Sequence, residues 1–144
     1  MQSTSKCIDK LNGLLQGEIS AVETYGQALE AVTDPIVRAE LQEVQRCHAG
    51  RVAILAETVA SMGKQPAHDA GPWGAFAKTL EGGAKVFGQN AAIGILEEGE
   101  DKGLNDYRNL LEDADATTRP VIEALLPRQE ETHAIMSCLK RSLH

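Results

Sequence analysis

Apolar residues recur three and four positions apart along four long stretches of this chain, a spacing that places them on one face of a helix. The helices predicted from this spacing cover about residues 4–32, 35–62, 90–113 and 120–143, and residues 63–89 form a crossover. Asp34 and Pro35 suit the start of the second helix, and Gly63 suits its end. Pro127 is expected to kink or restart the fourth helix, and a short extra helix is expected at residues 73–80.

The two halves of the chain repeat one pattern. A shift of 82 positions superposes Glu18 of the first helix on Glu100 of the third, and a shift of 85 superposes His48 of the second on His133 of the fourth. Two antiparallel helical hairpins joined by a long crossover are therefore predicted, because a connection of that length returns the chain along the bundle. The predicted fold class is all-α, with a single domain over residues 1–144 built as a four-helix bundle.

Composition favours one helical domain and excludes several partners. Of the 144 residues, 42% are apolar but only 3% are aromatic, which favours helices over sheets. The net charge of −7 argues against a nucleic-acid partner, and no apolar run reaches the roughly 20 residues that cross a membrane. The three cysteines are far apart and the first residues carry no apolar leader, so a cytoplasmic location with reduced thiols is predicted.

Polar residues interrupt the apolar helix faces at matching depths. Glu18 and Glu100 lie on the faces of the first and third helices, where an unpaired carboxylate is costly. His48 and His133 lie on those of the second and fourth, each three residues after a polar residue on the same side. The residues expected to converge midway along the bundle are Glu18, Gln45, His48, Glu100, Glu130 and His133. Carboxylates with one imidazole per ion suit iron or manganese, and also zinc.

Several motifs of the chain resemble known helical proteins. Gly17 and Glu18, followed by Tyr25 seven positions after the Glu, are similar to the first helix of rubrerythrins. The stretches EGGAKVFG, AAI and LEEGED resemble a bacterial ferritin-like family, domain of unknown function 2383, over nearly the whole chain. In the ferritin-like superfamily, the first and third helices each provide one Glu, and the second and fourth each provide a Glu-x-x-His, to a pair of metal ions.

The resemblance implies two iron ions, or one, in each chain. Glu18 and Glu100 would be terminal ligands and Glu130 would be a bridging ligand. His48 and His133 would each bind one ion. Manganese and zinc remain alternatives to iron, because they accept the same ligand types.

One ligand of the superfamily pattern is missing. Gln45 stands where the superfamily carries a bridging Glu, so a mononuclear site, an asymmetric pair of ions and an empty site are open alternatives. Glu97, one turn before Glu100, is a substitute ligand by position. Tyr25 and Tyr107 are either hydrogen-bond donors to the ligand carboxylates or ordinary core aromatics.

Two functions are compatible with these residues. In the first, a carboxylate-bound iron centre oxidises Fe(II) or reduces peroxide in a stress response, which makes the chain a ferroxidase or a peroxidase-like enzyme. The chain has no rubredoxin-like Cys-x-x-Cys segment, so this function requires an external electron donor. In the alternative, the chain is a metal-free, non-catalytic helical-bundle protein of the stress response or of protein interaction, and its polar residues form a buried network. A homodimer is compatible with either function.

Overall fold

Helices make up most of the chain that the computed structural model describes, namely residues 4–74, 78 and 88–143. They are α1, Thr4–Ala31; α2, Pro35–Ser61; α3, Gln89–Asp113; and α4, Arg119–Ser142. Each end lies within one residue of the position predicted from the hydrophobic pattern, and the described residues contain no strand. A 3-10 turn spans Gly71–Trp73 in the crossover, and most of the short helix predicted at residues 73–80 falls outside the described residues.

Local signals define the two ends of α2. The Asp34 carboxylate accepts a hydrogen bond from the backbone N–H of Ile36 at 2.9 Å, and Pro35 begins the helix without an N–H that would be left unpaired. The helix ends at Ser61, two residues before Gly63, whose φ of +86° is a conformation that other residues rarely adopt. Because only residues 32–34 separate α1 from α2, the turn between them is tight and the two helices form an antiparallel hairpin.

Each helix packs against two neighbours that run antiparallel to it. Helices α1 and α4 each pack against both α2 and α3, whereas the backbones of the diagonal pairs, α1 with α4 and α2 with α3, do not come close to each other within the described residues. Helices α2 and α3 are therefore parallel, so the crossover has to return along the whole bundle, as predicted. The structure is thus a four-helix bundle with two short turns and one long connection. None of the described helices combines the length and hydropathy needed to span a membrane.

The core consists of two apolar clusters separated by a polar layer. The cluster near the α1–α2 turn contains Tyr25, Ala28, Val32, Val37, Leu41, Val44, Ala92, Ile93, Leu96, Met136 and Leu139. The cluster near the α3–α4 turn contains Ile8, Leu11, Leu14, Leu15, Leu55, Val59, Tyr107, Ile122 and Leu125. The polar layer comprises the buried residues Glu18, His48, Arg51, Glu100, Gln129 and Thr132. All four helices contribute to this layer, which lies midway along the bundle.

Helix α4 continues through Pro127, so of the two predicted effects, a kink or a restart, the restart does not occur. Pro127 is the ninth residue of α4 and lies on its exposed face. Its ring nitrogen carries no hydrogen, so the carbonyl of Glu123 lacks its usual helical donor. Packing of the buried face of α4 outweighs this local cost, which explains why the helix is uninterrupted.

Replacing Pro127 with Ala is expected to raise the free energy of unfolding by about 1–3 kcal/mol, because Ala restores a backbone hydrogen bond inside the helix. Urea denaturation followed by circular dichroism measures the change. Pro120→Ala is the matched control, since Pro120 occupies the second helical position, where the N–H has no intrahelical partner. Equal effects of the two substitutions would contradict this explanation.

Candidate functional site

His48 of α2 lies at the centre of the polar layer and bridges two buried carboxylates. Its Nδ1 lies 2.8 Å from Glu18 Oε1 of α1, and its Nε2 lies 2.7 Å from Glu100 Oε2 of α3. None of the three residues exposes more than 5% of its surface. Because an ionised carboxylate only accepts hydrogen bonds, both ring nitrogens have to donate, which requires the imidazolium form of His48.

The two carboxylates stabilise this charged form. Burial lowers the pKa of His48, but the negative charges of Glu18 and Glu100 and their hydrogen bonds outweigh burial and raise it to about 9. For Glu100, burial alone would raise the pKa. The charge of His48 and the hydrogen bonds from His48, Tyr25 and Thr132 outweigh burial and keep that pKa below its usual range. The centre of the layer is therefore an imidazolium held between two carboxylates.

Arg51 supplies the second positive charge of the layer. It lies one turn after His48 on α2, and 0% of its surface is exposed. Its Nη1 lies 3.2 Å from Glu18 Oε2 and also donates to the side-chain oxygen of Gln129. Its Nη2 donates to the Thr132 hydroxyl at 2.8 Å. Two cations and two carboxylates then balance, so the layer is electrically neutral although four ionised groups are buried.

Two neutral side chains of α4 complete the layer. The Gln129 amide nitrogen donates to Glu100 Oε1 at 3.1 Å and to the Glu100 backbone carbonyl at 3.0 Å. The Thr132 hydroxyl donates to the same carboxylate oxygen at 2.7 Å while it accepts from Arg51. This close approach of α4 to α3 depends on Gly103, because a Cβ there would lie 2.8 Å from the Gln129 nitrogen.

Two tyrosines at equivalent positions of the sequence repeat form hydrogen bonds from one hairpin to the other. Tyr25 of α1 donates to Glu100 Oε2 of α3 at 2.6 Å, and Tyr107 of α3 donates to Glu18 Oε2 of α1 at 3.2 Å. Burial raises the pKa of both hydroxyls, and the adjacent carboxylates raise it further, so both remain protonated donors. Tyr25 also stacks on His48, with the ring centroids 5.4 Å apart. Each tyrosine is therefore both a donor to a carboxylate and a member of an apolar cluster.

Glu130 and His133, which the sequence analysis expects in the core, lie outside the layer. Glu130 is exposed on α4, and its carboxylate lies 3.8 Å from the guanidinium of Arg108. His133 lies at the rim of the bundle, where its Nε2 is paired with Asp101. The structure thus brings Glu18, His48 and Glu100 together without the α4 pair.

Gln45 and Glu97 also lie at the periphery. The Gln45 amide is half-buried and donates to the backbone carbonyl of Val22 at 3.0 Å, which joins α2 to α1. The Glu97 carboxylate lies 3.6 Å from Lys140 Nζ, which joins α3 to α4. Both side chains therefore link neighbouring helices outside the layer.

A difference between the two turns explains the displacement on α4. The α3–α4 turn has five residues, 114–118, against three, 32–34, between α1 and α2. His48 follows the first residue of α2 by thirteen positions, whereas Gln129, at the same level, follows the first residue of α4 by ten. The equivalents of His48 and Arg51 are thus Gln129 and Thr132, a shift of 81 positions and not 85. The predicted ligands Glu130 and His133 each follow one of these α4 residues by one position, so their side chains point about 100° further around the helix and away from the layer.

Three residues of the layer are absent from the predicted site, namely Arg51, Gln129 and Thr132, although the sequence carries a signal for each. Arg51 continues the spacing of the α2 apolar face three residues after His48. Gln129 and Thr132 follow the buried Leu125 by four and seven positions, the spacing of the α4 apolar face. A polar residue on a buried face is the same signal that identified the two carboxylates.

A small cavity opens between α1 and α3 beside the layer. Its volume is about 40 Å³, and its wall includes Glu18, Glu100 and both tyrosines, with Trp73 of the crossover on another side. About 10–15 Å³ accommodates one water molecule, so a few waters fit. Small molecules of that size can therefore approach the two carboxylates.

The described residues do not fit the two-ion centre that the resemblance implies. Glu100 accepts four hydrogen bonds, and Glu18 is contacted by three donors, one of them the guanidinium of Arg51. Arg51 also places a permanent positive charge 3.2 Å from Glu18. Within the described ranges, no three His, Cys, Asp or Glu side chains are grouped so that they could hold a metal ion.

Comparison with known proteins identifies one family. The family model described as domain of unknown function (DUF2383) matches residues 6–113, three quarters of the chain. The matched range covers α1 from residue 6 onward and all of α2 and α3, and therefore both carboxylates and both cations of the layer. No curated protein and no solved structure is detectably similar to this chain.

Glu18→Gln and Arg51→Met are each expected to lower the free energy of unfolding by about 3–5 kcal/mol, because each leaves a buried charge without its partner. The double variant is expected to lose about 1–3 kcal/mol less than the sum, because it restores the charge balance. Urea denaturation of the four proteins at pH 7 measures this coupling. Arg46→Met is the control, since Arg46 pairs with Glu43 on the exposed surface and should change stability by about 0.5 kcal/mol or less. Additive losses would show that Glu18 and Arg51 do not stabilise each other.

Stability is expected to fall as the pH rises from 6.5 to about 9, the ordinary and folded-state pKa values of His48. A raised pKa means that the charged form contributes stability that is complete below the unfolded value and is lost as the pH passes the folded one. The loss is about 3 kcal/mol at most. Melting temperature against pH tests this, with His133→Gln expected to retain the decline and His48→Gln expected to abolish it. A decline that persists in His48→Gln would have another origin.

Proposed function

The chain belongs to the DUF2383 family, and from its polar layer we propose that it is a metal-independent helical bundle that acts by binding other molecules. The observation that carries this proposal is that the layer is neutral and that donors from the protein itself occupy its two carboxylates. Outside the layer, thirteen Lys and Arg stand against nineteen Asp and Glu, so a net charge of −6 lies on the rest of the chain, mostly at its surface. Such a surface favours partners that are not acidic themselves.

Saturation of the carboxylates supports a role without a metal. A carboxylate offers about four acceptor sites, and those of Glu100 are taken by Tyr25, His48, Gln129 and Thr132. A metal ion would have to displace some of these donors. The displaced groups would then be buried without partners, which is costly in a core.

Charge balance supports the same role. A divalent ion would add two positive charges to a neutral layer of low dielectric constant, unless His48 lost its proton. The carboxylates on either side of His48 raise its pKa to about 9, which opposes that loss at neutral pH. Metal binding would therefore compete with a proton that the layer holds strongly.

The topology supports a common scaffold with the ferritin-like superfamily, and we propose that this chain has kept that scaffold without its metal chemistry. Two antiparallel hairpins and a crossover along the bundle are the arrangement that the resemblance implies. The competing function is the predicted iron centre, with ferroxidase or peroxidase-like activity and an external electron donor. One observation favours that function, namely the cavity that reaches Glu18 and Glu100.

Metal content of the untagged protein distinguishes the two functions. The protein is purified from iron-supplemented cells, analysed for iron, manganese and zinc, and titrated with Fe(II) without oxygen. We expect substoichiometric metal, no colour on admission of oxygen, and the same melting temperature with and without a chelator, because no ion stabilises the folded state. The matched variants are His48→Gln, inside the layer, and His133→Gln, at its rim.

Stoichiometric binding would contradict the proposal. Uptake of one or two Fe(II) per chain, lost in His48→Gln and kept in His133→Gln, would support an iron centre built on the layer. Loss of binding in His133→Gln instead would support a centre that includes the α4 residues of the sequence analysis.

A further inference from the structure

Arg51 has contacts that distinguish it from an ordinary buried arginine. Its surface is fully buried, and its two terminal nitrogens contact Glu18, Gln129 and Thr132. Gln129 and Thr132 in turn donate to Glu100. The guanidinium is therefore linked to both carboxylates, directly to one and through α4 side chains to the other.

The side chains around Arg51 offer hydrogen-bond acceptors to its guanidinium, which is a cation of the protein itself. The inward positions of α4 at this level carry an amide and a hydroxyl, which offer neutral oxygens to the guanidinium. A carboxylate and an imidazole at those positions would instead be the Glu-x-x-His of a metal centre. In this chain, neutral residues at the inward positions of α4 thus face a permanent cation on α2.

From this arrangement we propose that Arg51 is the charge that excludes divalent cations from the layer, because it supplies beside Glu18 the positive charge that an ion would otherwise bring. The inference rests on the proposed metal-independent function. Removing the guanidinium leaves two carboxylates against one imidazolium, and the layer gains a net negative charge and free acceptor oxygens. Under these conditions a divalent cation restores the balance.

Arg51→His tests the proposal, because it removes the permanent charge and places an imidazole one turn from His48. Binding of Co(II) is measured by calorimetry and by visible absorption. We expect one Co(II) per chain in Arg51→His, bound at least about tenfold more tightly than in the wild type. Arg51→Lys keeps the charge and is expected to bind no better than the wild type.

Arg38→His is the matched control for the added imidazole. Arg38 is a half-buried arginine of the same helix, and its guanidinium donates to the backbone carbonyls of Leu29 and Val32, away from the layer. A histidine there is expected to leave the affinity for Co(II) unchanged. Equal gains in Arg38→His and Arg51→His would show that any added imidazole suffices, which overturns the proposal.

The proposal remains testable if Arg51→His is unfolded without metal. Co(II) is then expected to restore its helical circular dichroism, because the ion replaces the missing positive charge. A variant that stays unfolded with Co(II), or that folds and binds Co(II) no better than the wild type, overturns the proposal. If the wild type is free of metal, such a result overturns this proposal and leaves the proposed function standing. A wild type that holds iron in the layer refutes both.

Discussion

Two carboxylates buried in the middle of an apolar bundle impose the constraint on which the rest of this structure depends. Removing Glu18 and Glu100 from water costs on the order of several kcal/mol each unless opposite charges and hydrogen bonds compensate. The compensation comes from His48, which donates through both ring nitrogens, and from the guanidinium of Arg51. The tyrosines and the α4 side chains then satisfy the remaining acceptor sites.

The same layer favours one register of the four helices. The apolar clusters on either side consist of side chains that can exchange neighbours with limited loss. A slip of one hairpin by a turn, about 5.4 Å, would instead separate Glu18 from Tyr107 and Glu100 from Tyr25. Each carboxylate would then lose a buried hydrogen-bond donor. The hydrogen bonds that cross between the hairpins therefore align the two halves of the repeat.

Neutrality also determines the chemistry open to this core. A layer whose charges are already matched has little affinity for an added ion, and its acceptor oxygens are occupied by donors from all four helices. A bundle of this topology can therefore keep the inward carboxylates of a metal-binding scaffold and hold them in place with its own cations. Among the described residues, the cavity between α1 and α3 has a volume of about 40 Å³, which holds a few water molecules beside the carboxylates.

The sequence by itself determined the four helices, their ends and the central trio of Glu18, His48 and Glu100. These features depend on spacing within one helix and on the rarity of polar residues on apolar faces, both of which are local. Only the tertiary structure decided which α4 residues lie beside the polar layer. The position of α4 along the bundle axis depends on the path of the turn before it, and that path cannot be deduced from the spacing of apolar residues within the helix. That path brings Gln129 and Thr132 to the layer, and it turns the residues predicted as ligands toward the surface. The role of Arg51 follows from the same contacts, since a buried arginine is stable only where the fold supplies its partners.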